Sequence, residues 1–247
     1  MTKGESFGEY FAIVQQHGLY SGRKANLKFY LDYLFQGVSF DEKAMLDIGA
    51  GSGLFSLYGA CRGAKPVVSL EPELEGSSKG TSHKLRQLCD SLPPQISIIP
   101  KAVTFQEFAP DGQTFDVILL HNSINHLDEE ACINLQHSND AKKRYEAIFQ
   151  KLSELATSGG KLIIADCSRY NFWHQVGLHN PLAPTIEWHK HQFPKYWSSL
   201  LYDFGFANPR IRWASPGRFG TIGRLLFGNR FASYFTTSHF CLVIDKS

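Results

Sequence analysis

Three stretches of this 247-residue chain concentrate residues able to do chemistry. The first is Met45-Leu-Asp-Ile-Gly-Ala-Gly-Ser-Gly-Leu-Phe, an apolar run that enters the glycines Gly49, Gly51 and Gly53. Glycines in that position let the backbone turn tightly and approach a ligand where a side chain would collide, and the chemistry they suit is the binding of a nucleotide-like group. The second is His121-Asn-Ser-Ile-Asn-His126, which follows the apolar run Phe115–Leu120. An imidazole titrates near neutrality and can take a hydroxyl proton. The third is Glu187-Trp-His-Lys-His-Gln192. His189 and His191 have the alternation of two metal ligands on an extended strand, but no third ligand stands at matching spacing, so no metal is assigned.

The glycine run separates two nucleotide readings. A nicotinamide fingerprint, G-x-G-x-x-G, counted from Gly49, requires a third glycine where this chain has Leu54. The pattern D/E-x-G-x-G-x-G is matched without a gap by Asp47, Gly49, Gly51 and Gly53. A second element lies downstream, where the run Val67-Val-Ser-Leu ends in Glu71-Pro72 at about the distance from the glycines at which a carboxylate can bind ribose hydroxyls.

On these residues the chain resembles the class I, Rossmann-like S-adenosylmethionine-dependent methyltransferases, and the similarity runs from about Tyr20 to the C-terminus. The resemblance implies S-adenosylmethionine (SAM) as cofactor. It implies that Asp47 supports the glycine loop, Glu71 holds the ribose and Pro72 borders the adenine. Many relatives carry an acid after the third strand, whereas here the residues are Lys101-Ala102-Val103, so the adenine would be met by backbone at Ala102. His121 and Asn122, at the end of the fourth strand, are assigned to the cofactor side.

Methyl transfer from a sulfonium needs alignment of the acceptor, exclusion of water and, for a hydroxyl, removal of a proton. His126 is the first candidate base, with His189 and His191 as a second group on a substrate loop. The strand after which an amino-methylating enzyme carries [DN]PP[YF] lacks that signature here, there is no Pro-Cys nucleophile, and the acid pattern of metal-dependent catechol enzymes is absent. O-methylation of a small-molecule, lipid-linked or saccharide acceptor is the leading expectation. An NAD(P)-dependent oxidoreductase and a non-catalytic nucleotide-fold binding protein are the alternatives.

These groups need a scaffold. Helical spacing of Phe7, Tyr10, Phe11 and Val14, and of Leu27, Tyr30, Leu31, Leu34 and Phe35, predicts a helical cap over residues 1–40. Strands are expected at Ala44–Ile48, Pro66–Leu70, Gln95–Ile99, Phe115–Leu120, Lys161–Ala165, Ile211–Ala214 and Ser238–Ile244. Helices are expected at Gly53–Arg62, Ser77–Leu92, Asp140–Thr157 and Pro194–Phe204. The alternation predicts a single α/β domain, a seven-stranded, mostly parallel sheet flanked by helices. Two segments exceed plain connections: residues 167–192, read as a lid after the fifth strand, and the Arg-rich insertion 215–231.

Composition bounds the partners. A formal net charge of +2 is too small to imply nucleic acid, and none is expected. Between Asp203 and Asp245 there is no acidic residue and no lysine, yet Arg210, Arg212, Arg218, Arg224 and Arg230 occur there. That bias suggests an anionic acceptor and a peripheral membrane contact through residues 215–231. Five scattered cysteines without a CxxC pair, no signal-like N-terminus and no membrane-length apolar run lead to the expectation of a cytoplasmic protein.

Overall fold

The computed structural model describes residues 3–73, 80–215, 223 and 226–247. Helices α1 (Lys3–Gln16) and α2 (Lys24–Leu34) precede the first strand, as the spacing of their apolar residues requires. The strands are β1 (Met45–Ile48), β2 (Val67–Leu70), β3 (Ile99–Lys101), β4 (Phe115–His121), β5 (Ala156–Cys167), β6 (Phe206–Trp213) and β7 (His239–Lys246). They form one sheet of order β3-β2-β1-β4-β5-β7-β6. The first five strands are parallel to one another, and β7 runs antiparallel to both β5 and β6.

Alternation of side chains along the strands builds two cores. Met45, Val67, Val117, Leu119, Ile163, Ala165 and Val243 face α1, α2, α3 (Leu54–Cys61) and α4 (Thr81–Asp90). Leu46, Ile48, Val68, Leu70, Ile118, Ile164 and Leu242 face α5 (Glu129–Asn134), α6 (Asn139–Leu155) and α8 (Pro194–Tyr202). Capping sets where the second group of helices begins. Asp128 accepts from the Ala131 N–H before α5, Ser138 accepts from the Ala141 N–H before α6, and Pro194 opens α8, where its missing N–H costs nothing.

Three strands depart from the expected bounds by more than two residues, among them β5, which starts at Ala156 rather than Lys161 and runs on to Cys167. The apolar run Gln95–Ile99 enters the ladder only at Ile99. Ile96 and Ile98 are buried in the core from an irregular segment that starts with a turn, Ile96 N–H to Pro93 carbonyl at 2.9 Å. Strand β6 begins five residues earlier than Ile211. It is interrupted where Asn208 has φ +55° and Pro209 offers no N–H, and its register on β7 shifts between Ala207 and Arg210. An edge strand tolerates such a break.

The segment 167–192 carries the short helix α7 (Phe172–Gln175) and a 3-10 turn (Trp188–Lys190), and is tied down by Asn171 and Asn180, whose amides both donate to the Thr236 carbonyl. Helix α9 (Arg230–Phe235) precedes β7. Residues Ser77–Lys79 of the expected fourth helix, and most of the Arg-rich insertion including Arg218 and Arg224, lie outside the described residues. Among the described residues no helix is long and apolar enough to cross a membrane.

Candidate functional site

The turn after β1 is built to present backbone. Gly49 (φ +74°) donates to the Leu70 carbonyl at 2.9 Å, fixing the turn against the end of β2. Gly51 (φ +56°) faces open space on the side where a Cβ would stand, and its N–H donates to Glu71 Oε2 at 2.8 Å. Gly53 is the N-cap of α3. The other carboxylate oxygen of Glu71 accepts from the Thr81 hydroxyl at 2.7 Å. A carboxylate has about four acceptor sites, so both oxygens keep capacity for further donors. Pro72 follows, half-buried, and the Glu71 N–H donates to the Lys101 carbonyl at 3.1 Å, which sets Ala102 beside this corner at the exposed end of β3.

Asp47 lies beneath the turn and is 1% exposed. Ser56 donates to its Oδ2 at 2.6 Å and Ser69 donates to Ser56 at 2.7 Å, while Oδ1 has no partner. Burial pushes the Asp47 carboxyl up to about 7, against the Ser56 hydrogen bond, with the nearby Glu71 charge raising it further.

The loop after β4 closes the other side. Ser123 donates to the Ile48 carbonyl at 2.6 Å, and Asn122 holds φ +51° while its N–H donates to the Ala165 carbonyl at 2.7 Å. His121, the last residue of β4, shares a 2.7 Å hydrogen bond through Nε2 with the Tyr30 hydroxyl, and its ring lies 4.3 Å from that of Phe55. These three residues, with Tyr20 and Tyr33, line a cavity of about 480 Å³ between α2, the start of α3 and the end of β6. Burial pushes the His121 imidazole down to about 3, with His239 contributing in the same direction, so it is neutral at pH 7.

Beyond His121 the polar groups continue. His239, the first residue of β7, has its ring centroid 6.2 Å from that of His121 and 6.1 Å from that of Tyr30. Its Nδ1 is buried without a partner, and burial lowers its pKa to about 4 even though Asp166 opposes the shift. Asp166, near the end of β5 and 1% exposed, meets His191 Nδ1 at 3.0 Å and leaves Oδ2 unpartnered. The C-terminal ends of β4 and β5 and the start of β7 thus bring together Tyr30, His121, His239, Asp166 and His191.

The three sequence-derived catalytic candidates separate in space. His191 joins Asp166. His189 is exposed on the 3-10 turn, where its carbonyl accepts from Arg169. His126 also points outward, with 61% of its side chain exposed and Nδ1 3.4 Å from Glu129 Oε2. No group of three or more His, Cys, Asp or Glu residues that could hold a metal occurs among the described residues. Sequence reasoning missed Asp166, His239 and Tyr30. For Asp166 a signal existed, a carboxylate inside the apolar run Leu162–Cys167; Tyr30 and His239 sit in periodic apolar patterns and read as core.

The seven-stranded sheet of this order, with its antiparallel β7, superposes on solved SAM-dependent methyltransferases. The chain has the class I, SAM-dependent methyltransferase fold. It superposes with a TM-score of 0.57 on an S-adenosylmethionine-dependent methyltransferase from Mesorhizobium loti, at 12% identity over 84% of this chain and 93% of that one. The magnesium protoporphyrin IX methyltransferase from Synechocystis PCC 6803, solved with bound SAM, superposes with a TM-score of 0.50 at 12% identity, covering 97% of this chain and 80% of that one. In sequence, a histone-arginine methyltransferase, CARMER, from Drosophila mojavensis is 23% identical over 212 residues, 82% of this chain. The chain spans 37% of the length of that relative. No family model matches the sequence.

Proposed function

We propose that the protein is a SAM-dependent methyltransferase that methylates an oxygen of a small-molecule, lipid-linked or saccharide acceptor. The observation that carries the reading is Glu71, a buried carboxylate at the end of β2 whose Oε2 is held 2.8 Å from the Gly51 N–H of a turn that faces open space. That corner fits the cofactor: Glu71 retains acceptor capacity for ribose hydroxyls, and the Gly49–Gly53 backbone can approach without side chains. The aromatic faces of Tyr30 and Phe55 in the adjoining cavity match the positive charge of a sulfonium. When bound, SAM supplies a methyl on that sulfonium, whose leaving group is a neutral thioether.

The chain's own groups supply orientation and a proton acceptor. His191 takes the acceptor's hydroxyl proton at Nε2 while Asp166 holds Nδ1 and stabilises the imidazolium that results. Neutral His121, fixed by Tyr30, positions the reacting end of the cavity. Residues 167–192 act as a lid and α1 and α2 as a cap, and together they exclude water. The five free thiols favour a reducing, cytoplasmic setting.

An arginine acceptor, as the name of the Drosophila relative suggests, would need free carboxylates at the acceptor end. At the start of α5, Asp128 and Glu130 are paired with Arg144 and Glu129 with Lys190, and at the end of β5 Asp166 is engaged by His191. That commitment favours the oxygen acceptor.

The test is calorimetric titration with SAM, S-adenosylhomocysteine and NADH. Micromolar binding of the first two without NADH is expected, and binding of NADH alone overturns the class.

A further inference from the structure

A second cavity, of about 700 Å³, opens between the lid, β6 and α9. Its walls are apolar: Tyr170 and Phe193 come from the lid side, Ile211 and Trp213 from β6, and Phe231 and Tyr234 from α9. The surfaces around it are unusually open for such side chains, Phe231 being 75% exposed and Tyr170 40%. Its volume lies within the range of about 300–1,000 Å³ typical of small-molecule sites. Two cations, Lys195 and Arg230, also line it. Neither Lys195 nor Arg230 has an ion-pair partner among the described residues, so both can meet an anion, whereas Arg210 of β6 is held by Asp245. Ser168, two residues beyond Asp166, and Phe193, two residues beyond His191, bring one wall next to the proton-accepting pair.

We infer that this groove is the acceptor's tail site, and that the acceptor is an anionic amphiphile whose aliphatic chain lies against Phe193, Trp213 and Phe231 with its negative group at Arg230 and Lys195. The inference rests on the methyltransferase reading and narrows its substrate class. Aromatic and aliphatic walls repay burial of methylenes, and a saccharide would instead need many polar partners. Cations at the rim of an apolar groove, without ion-pair partners among the described residues, favour a chain that carries negative charge and disfavour its cationic isostere.

The test is binding of n-octyl phosphate, n-dodecyl phosphate and dodecyltrimethylammonium to the full chain below their micelle concentrations, followed by calorimetry, with SAM titrated in parallel. Dodecyl phosphate should bind roughly 200-fold more tightly than octyl phosphate, about fourfold for each of four methylenes. Dodecyltrimethylammonium should bind at least about tenfold more weakly than dodecyl phosphate. Phe231→Asp and Arg230→Glu, both at exposed positions, should each weaken dodecyl phosphate about tenfold and leave SAM affinity unchanged. Indifference to chain length, indifference to charge, or wild-type affinity in both variants overturns the proposal. SAM binding without dodecyl phosphate binding overturns the groove alone, and absence of SAM binding overturns the methyltransferase reading on which it depends.

Discussion

Gly49 and Ser123 pack so closely that a Cβ on Gly49 would lie 2.6 Å from the Ser123 Cβ, while Ser123 Oγ donates to the Ile48 carbonyl at 2.6 Å. The turn after β1 and the loop after β4 are therefore one rigid unit. Gly49→Ala meets both this contact and a φ of +74°, and should cost about 1–3 kcal/mol of stability. SAM affinity should fall at least about tenfold in the same variant. Urea unfolding and calorimetry check the two effects; wild-type values in both would remove the turn from the binding site.

Three groups whose pKa values are shifted by desolvation make opposite contributions to the pH dependence of stability in the cofactor-free protein. The folded pKa of Asp47 is raised to about 7, so the stability it contributes is complete below its unfolded value near 4 and is lost as pH rises toward 7. His121 and His239 are depressed to about 3 and about 4, so their contribution is complete above about 6.5 and is lost as pH falls through the acid range. Asp47→Asn should therefore gain Tm relative to wild type between pH 4 and 7, and a His121→Gln, His239→Gln double variant should lose less Tm than wild type below pH 6. Thermal melts across pH 4–8 read both; parallel curves for wild type and Asp47→Asn would contradict the buried-carboxyl account.

If His191 accepts the proton, His191→Ala should lower kcat by about 10²–10⁴-fold with SAM affinity nearly unchanged. Asp166→Asn should lower kcat less, because the imidazolium formed in the step loses its counter-charge. His126→Ala is the comparison. Loss of turnover there, with His191→Ala active, would move the proton acceptor to the exposed loop.

The order of elements was legible because apolar runs of strand length alternate with helical spacing, and because Asp47, Gly49, Gly51, Gly53 and Glu71 lie at strand ends where a parallel sheet gathers its loops. Boundaries failed where tertiary packing overrode pattern. Ile96 and Ile98 are as apolar as strand residues, yet they fill the core from outside the ladder, and Asn208-Pro209 breaks an edge strand that continues on both sides. The six-residue α5 went unseen because its apolar pattern is too short to show a period, although Asp128 supplies its cap. Pairings between distant residues have no local signature. Asp166 and His191 are 25 residues apart, and Tyr30 and His121 are 91 apart, so only the folded sheet edge brings them together.

Trp197 on α8 is fully buried and packs against Tyr145 and Phe149, with ring centroids 5.3 Å and 6.0 Å away. Trp197→Ala should destabilise the protein by about 3–5 kcal/mol through lost burial and the cavity left behind. Denaturant midpoints measure this. A loss below about 1 kcal/mol would mean that α8 does not close the second core.

The most direct test of the cofactor site is a cycle of four dissociation constants: S-adenosylhomocysteine and its 2′-deoxyribose analogue, each against wild type and Glu71→Ala. Hydrogen bonds to a charged group contribute about 1.5–3 kcal/mol, so wild type should prefer the hydroxylated ligand by roughly 10- to 100-fold. Glu71→Ala should bind the two ligands within about twofold of each other, which assigns the preference to that carboxylate. An undiminished preference in Glu71→Ala would contradict the placement of the ribose at the end of β2.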